Sequence, residues 1–334
     1  MTIVDFHIWH PTLNKDSVDI LHRPGPVDKI ILYAHQEFDY TKFIHFEFVS
    51  DYSFRHNIPF YVVICTSEYV KPLHPVSIRY KNVKIINWGT YYLSETLHRI
   101  SKDPRWPGRT PESYIYPFIS MNCKPSEHRQ SMMDLLAKYD LINIGALSWL
   151  EWPIGRITDY DYKYWSPQLL RLTEVVPGVN QFMAPAEYNS SFMQLVTESS
   201  VSHLVMSEKT CMPLFQKKPF LVLGSPGFYS MLQDYGFSMY DEIFDYAFDQ
   251  VQDLSERCDA IASQVSMLSR LSTPDLNELY RTVSDKIEYN YNRATQLALD
   301  INNIPSLMKE ECRGPGNIFR AGDIIDFISH SQPR

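Results

Sequence analysis

Four short runs in the first third of the chain restrict its fold more than anything else in it. They are "IVDFHIW" (3–9), "KIILYA" (29–34), "PFYVVICT" (59–66) and "VKIINW" (83–88). Each is rich in β-branched and aromatic residues and is bounded by turn-forming or polar residues, which is strand composition. Three of them are apolar at successive rather than alternate positions, so both faces need burial, as in parallel sheets. A parallel strand cannot be reached by a hairpin; it needs a crossover, usually a helix. The segments "DYTKFIHFEFVSDYSFRHN" (39–57) and "SETLHRIS" (94–101) supply helical patterns, the second with Ser94 as N-cap and Glu95 in its first turn. This alternation predicts an α/β chain built on a doubly wound sheet.

The pattern then stops at "SKDPRWPGRTPES" (101–113), which holds three Pro and one Gly, and starts again beyond it. A chain of 334 residues is long enough for two cores. The expected domains are therefore 1–112, 113–301, and a tail, 302–334, that packs back on the first. In the second half the strands read as 114–122, 192–198 and 220–224. The helices read as 125–141, 207–217, 226–236, 251–270 and 274–301. Ser126 caps the first of these, with Glu127 in its first turn and Met132, Leu135, Leu136 and Tyr139 as its apolar stripe. Leu276, Leu279, Val283, Ile287, Tyr291 and Ala294 form the inner face of the last. An irregular region rich in Trp, Tyr and Pro, roughly 148–191, lies between.

Charge narrows the partners. The net charge is −8, but residues 1–112 hold 13 Lys/Arg against 12 Asp/Glu, and the remainder hold 18 against 27. Broad polyanion binding needs a basic surface, so any nucleic-acid contact would be local to the first half. The five cysteines, Cys65, Cys123, Cys211, Cys258 and Cys312, include no C-x-x-C pair, which predicts a reducing, cytoplasmic setting. The start "MTIVDFHIWH" has no basic region followed by an apolar run, and no window reaches 18 apolar residues. No signal peptide and no membrane span are expected.

In open α/β sheets, ligands bind beyond the carboxyl ends of the strands, at helix N-termini. Three segments of the second half hold that position. "SMNCKPSEHR" (120–129) brings His128 and Arg129 to the start of a helix, where a phosphate would be bound. "VTESS" (196–200) puts Glu198 at a strand end. "SEKT" (207–210) makes Ser207 an N-cap with Glu208 and Lys209 behind it. A lysine in the first turn opposes the helix dipole, a conflict that a bound anion removes. A Glu-Lys surface pair is the plainer reading of the same residues.

Taken together, "ESSVSHLVMSEKT" resembles the C-terminal signature of the α1,3-fucosyltransferase family, E-N-S, seven residues, then T-E-K. Glu198, Ser200, Ser207, Glu208 and Lys209 align with it, with Ser199 in place of the Asn and six residues, 201–206, rather than seven between the two parts. "FISMNCKPSEHRQSMMDLL" is similar to an earlier segment of that family, an S-x-N turn followed by an Arg on the next helix. "KKPFLVLGSPG" resembles its P-V-x-x-G strand. A broader set of viral and bacterial sugar-transferase-like proteins shares N-x-x-P-x-x-H-R and the T-E-K…K-P-F…G-S-P-G run. The likeness spans about 115–250.

It implies a GT-B architecture, two Rossmann-like domains facing across a cleft, with a UDP- or GDP-linked sugar as donor and no obligatory cofactor or metal. Lys209 and Arg129 would contact the diphosphate and Glu208 the ribose. Asn122 and Ser207 would support the loop, and Glu198 would lie near the transferred sugar as a catalytic residue. Ser199 in place of Asn leaves the sugar's identity open.

Inverting transfer also needs a base on the acceptor hydroxyl. Glu37 is the first candidate, with Asp39, Glu68, Asp5 and His7 behind it. Asp159 and Asp161 form a D-x-D, a spacing that elsewhere holds Mg²⁺ or Mn²⁺, here within an aromatic loop. In the Pro-rich break, Arg105, Trp106 and Arg109, with Arg99 and Lys102, form an acceptor-binding candidate suited to a nucleic-acid backbone and a stacked base. The expected function is a cytoplasmic glycosyltransferase (host cytoplasm if viral) acting on a glycan or small-molecule acceptor. The alternatives are a phage-type transferase modifying hydroxymethylated bases in DNA, and a catalytically silent nucleotide- or sugar-binding module.

Overall fold

The computed structural model describes residues 3–7, 17–22, 25–34, 45–64, 83–102, 114–122, 126–149, 186–311 and 321–331. The chain divides into two compact units. The first is Met1–Tyr91 with Asp300–Ser329; the second is Tyr92–Leu299 with His330–Arg334. The division thus falls after Tyr91, upstream of the Pro-rich stretch 101–113.

In the first unit, β1 (Ile3–His7), β2 (Lys29–Ala34), β3 (Phe60–Ile64) and β4 (Val83–Asn87) form a sheet in the order β1-β2-β3-β4. Every pairing is parallel, with Ile30 opposite Phe60 and Phe60 opposite Val83. Ile30, Ile31 and Leu32 on β2 and Val62, Val63 and Ile64 on β3 are all buried, which is why these runs lack alternation. The edge strand β4 is only half-buried. The crossover between β2 and β3 contains α1 (Phe46–His56). Its buried positions, Phe46, Val49, Ser50 and Ser53, follow the helical repeat. Asn57 ends it in the left-handed conformation, φ 52°, a backbone state that Asn tolerates better than most residues.

The second unit opens with α2 (Tyr91–Ile100), whose Ser94 hydroxyl donates to the Ala298 carbonyl at 2.7 Å. That buried bond ties the helix to this unit. The sheet consists of β5 (Tyr116–Asn122), β6 (Ala146–Trp149), β7 (Ser191–Thr197) and β8 (Phe220–Leu223), in the order β6-β5-β7-β8, again all parallel. All seven residues of β7 and all four of β8 are buried. Around this sheet run α3 (Glu127–Lys138), α4 (Ala186–Asn189), α5 (Glu208–Phe215), α6 (Phe228–Asp234), α7 (Leu254–Leu268), α8 (Thr273–Thr282) and α9 (Ser284–Leu299). Two more helices, α10 (Ser306–Glu311) and α11 (Ala321–His330), follow in the chain and, but for His330, belong to the first unit. No helix among the described residues is long and apolar enough to cross a membrane.

Three expectations change. The helix expected over 274–301 is two helices, broken at the buried Val283. Thr282 and Ser284 bond back to the Leu279 and Arg281 carbonyls, and such local bonds compete with helix propagation. Strand β6, Ala146–Trp149, is not among the expected strands and runs into the region read as irregular, because four residues containing Ala and Ser carry little strand signal without their pairing to β5. Ser126 occupies the N-cap position of α3, but its hydroxyl makes no capping bond and lies 3.3 Å from the His128 ring instead.

Gly145, just before β6, lies so close to the Cζ end of the fully buried Phe118 ring that any Cβ would overlap it. Gly145→Ala is therefore expected to lower the urea midpoint of unfolding, at a cost of about 1–3 kcal/mol, the usual penalty for overpacking a core. An unchanged midpoint would show that Phe118 can move aside.

Candidate functional site

The carboxyl ends of β5, β7 and β8 form one edge of the second sheet, and most of the residues singled out by motif gather there. At the end of β5, the buried Asn122 accepts a hydrogen bond from the Thr197 hydroxyl through Oδ1 and donates to Ser120 Oγ at 3.1 Å. It thereby ties the ends of two neighbouring strands. At the end of β7, the Glu198 backbone N–H donates to the Leu223 carbonyl, which brings the end of β8 alongside.

The first turn of α3 closes over the same strand end. His128 Nε2 lies 2.8 Å from the Glu198 carbonyl, and since a carbonyl only accepts, Nε2 carries the proton. Burial is the largest influence on this ring and holds its pKa below the usual histidine value, so the neutral form is favoured. Arg129 is 6% exposed and turns inward, with Nη2 in long contacts of 3.5 Å to the Thr197 and Glu198 carbonyls. It is not a solvated surface residue.

Glu198 is completely buried. Oε1 accepts from the Ser207 N–H at 2.9 Å and the Thr210 hydroxyl at 2.5 Å, and Oε2 accepts from the Ser199 N–H at 3.1 Å. The carboxylate therefore joins the end of β7 to the first turn of α5, at the positive end of that helix dipole. Its geometry is that of a positioning group: Oε1 faces the helix mouth, Oε2 faces the loop that follows β7, and the side chain is shut off from solvent. Burial outweighs the hydrogen bonds and the nearby Lys209 charge, so the carboxyl pKa lies above its ordinary value.

Ser207 is the N-cap of α5, and its hydroxyl accepts from the Lys209 N–H at 3.3 Å. Lys209 Nζ and Glu208 Oε1 form an ion pair at 2.6 Å. The Lys209 side chain is 18% exposed and that of Glu208 8%, so the pair is largely enclosed by protein. Between β7 and α5, the loop carries an exposed group of Ser200, Ser202 and His203, with Ser202 Oγ 2.9 Å from His203 Nδ1. At the end of β8, Ser225 buries its hydroxyl without a hydrogen-bond partner.

The structure thus gathers Asn122, Arg129, Glu198, Ser207, Glu208 and Lys209 on one edge. Glu37, Asp39, Glu68, Arg105, Trp106, Arg109, Asp159 and Asp161 lie outside the described residues. Asp5 and His7 lie in β1. Of the basic group around the Pro-rich break, Arg99 is paired to Glu95 at 2.7 Å on α2, and Lys102 Nζ lies 3.0 Å from His98 Nε2. Thr197 and Thr210 were missed by motif reading. Thr210 could have been found from its place one helical turn beyond an N-cap, where a hydroxyl can turn back toward the strand end. Among the described residues no group of three or more His, Cys, Asp and Glu is placed to hold a metal ion. A concavity of about 440 Å³ in this unit is lined by residues 241–246 with Gln264 and Met267, none of them singled out by motif. No family model matches the chain, and no curated protein matches it significantly.

A carboxyl whose folded pKa is raised binds its proton more tightly in the folded chain. Its stabilising contribution is full below the ordinary value of 4.5 and is lost as pH rises toward the folded value. Urea midpoints of the native chain and of Glu198→Gln, measured at stepped pH, isolate this effect. The native chain is expected to lose stability relative to the variant as pH climbs from about 4.5, then to level off. A relative gain with rising pH would mean that the site stabilises the anion.

Proposed function

We propose that this chain is a glycosyltransferase of the GT-B class, which moves a sugar from a nucleoside-diphosphate donor to an acceptor hydroxyl. One observation carries the reading. Residues matched by motif across almost ninety positions of sequence, from Asn122 to Lys209, converge on the carboxyl edge of one parallel sheet. Ligands of α/β sheets bind at such an edge.

The chemistry follows from the charges. The acceptor oxygen attacks the anomeric carbon, the carbon–oxygen bond to the diphosphate breaks with its electron pair, and the acceptor proton passes to a base. The developing negative charge falls on the diphosphate, beside the Lys209 ammonium. A phosphate there would compete with Glu208 for Lys209, since the two are now paired at 2.6 Å. The freed Glu208 carboxylate would then accept hydrogen bonds from ribose hydroxyls. The buried Ser225 hydroxyl, which has no hydrogen-bond partner among the described residues, is one more polar group at the end of β8. Glu198 acts behind this surface by holding α5 and the 199–207 loop against β7. A glycan or small-molecule acceptor is the favoured class.

Melting temperature measured against UDP, GDP, CDP and their sugars tests this reading. At least one nucleotide at about one hundred times its Kd is expected to raise Tm by several degrees. Lys209→Ala leaves the buried Glu208 carboxylate without its cation and is expected to lower stability, so its response is read as the nucleotide-induced rise above its own ligand-free Tm. It should lose most of the nucleotide-induced rise. A native protein that no nucleotide stabilises, or a variant that responds like the native chain, would sink the donor site.

A further inference from the structure

Helix α5 contains a proline in its interior, Pro213, six residues into an eight-residue helix. Proline has no N–H, so the carbonyl four residues earlier loses its helical donor. That carbonyl belongs to Lys209. A buried backbone carbonyl without a donor is costly, and here a side chain from the sheet replaces the missing one. Gln194, in the middle of β7, donates from Nε2 to the Lys209 carbonyl at 3.2 Å. The amide is held in that orientation from its other end, since the Tyr188 hydroxyl donates to Gln194 Oε1 at 2.6 Å. Tyr188 is completely buried, and burial keeps its hydroxyl protonated and a donor. Its ring is gripped in turn by Lys218, whose Nζ lies 5.0 Å from the ring centroid and donates to the Ser191 carbonyl. The chain Lys218–Tyr188–Gln194 thus ends on the backbone of the residue whose side chain faces the ligand edge.

We infer that Gln194, oriented by Tyr188, is a positioning residue that sets the first turn of α5 and with it the Lys209 ammonium, by supplying the hydrogen bond that Pro213 withholds. This rests on the reading of Lys209 as a diphosphate ligand. Pro213 and Gln194 work as a pair: the proline leaves the carbonyl open, and the glutamine anchors it to the sheet. An unbroken helix would satisfy the carbonyl within itself and have no such tie to β7.

The test is a rescue. The probe is whichever of UDP, GDP and CDP binds the native chain most tightly, with Kd measured by isothermal titration calorimetry. Gln194→Met keeps the buried volume but cannot donate, and Kd should rise about tenfold, as the loss of one buried hydrogen bond can produce. Adding Pro213→Ala restores an N–H to the helix and should bring Kd back to within about twofold of native, while Pro213→Ala alone changes little. Should Gln194→Met fail to fold, Tyr188→Phe releases the amide more gently and is expected to show a smaller loss with the same rescue. Native binding with an unaffected Gln194→Met, or Tyr188→Phe in its place, would overturn the positioning role and leave the donor site standing. A loss that Pro213→Ala does not repair would overturn the route through the carbonyl. A native chain that binds none of the three nucleotides would overturn both this role and the donor site.

Discussion

The carboxylate of Glu198 is the interaction on which the candidate site depends. It is sealed from water and accepts three hydrogen bonds, two of them from the first turn of α5 and its cap. A buried carboxylate is tolerable only when its oxygens are satisfied, so the loop between β7 and α5 has little freedom to move without exposing or stranding it. The Glu198 backbone is held as firmly, with its N–H on Leu223 and its carbonyl on His128. One residue therefore joins β7, β8, α3 and α5. The Glu208-Lys209 pair sits on the helix so fixed.

This arrangement explains why the local chemistry reads awkwardly in isolation. A lysine opposes the dipole in the first turn of α5, and a proline interrupts the interior of the same helix. Both are unfavourable for an isolated helix of that length. Each is offset from outside it: Glu198 sits at the helix mouth, and Gln194 donates to the carbonyl that Pro213 leaves open. Departures from local preference that the surroundings must compensate are common at functional sites.

Much of the fold was legible in the sequence because buried parallel strands write themselves as unbroken apolar runs. "KIILYA" coincides with β2, and "FMQLVTE" lies one residue out of step with β7. What escaped reading was set by tertiary contacts. Strand β6 gains its identity from its ladder with β5, and the break at Val283 comes from hydroxyls that fold back on the helix. For the site, charged residues placed after strands could be found by position alone. Their orientation could not: nothing in "TES" says that Glu198 points into the helix mouth, nor in "EHR" that Arg129 turns onto strand carbonyls. Gln194 and Thr210 are ordinary residues made important by what lies opposite them. Pro213 was readable, since a proline within a helix always opens the carbonyl four residues behind it.

The most direct measurement is release of nucleoside diphosphate from a panel of UDP-, GDP- and CDP-linked sugars, followed with and without simple glycan acceptors. At least one donor should yield free diphosphate with the native protein, more with an acceptor present, and far less with Lys209→Ala. A folded protein that binds a nucleotide but releases none from any donor would contradict transferase activity, leaving a silent binding module.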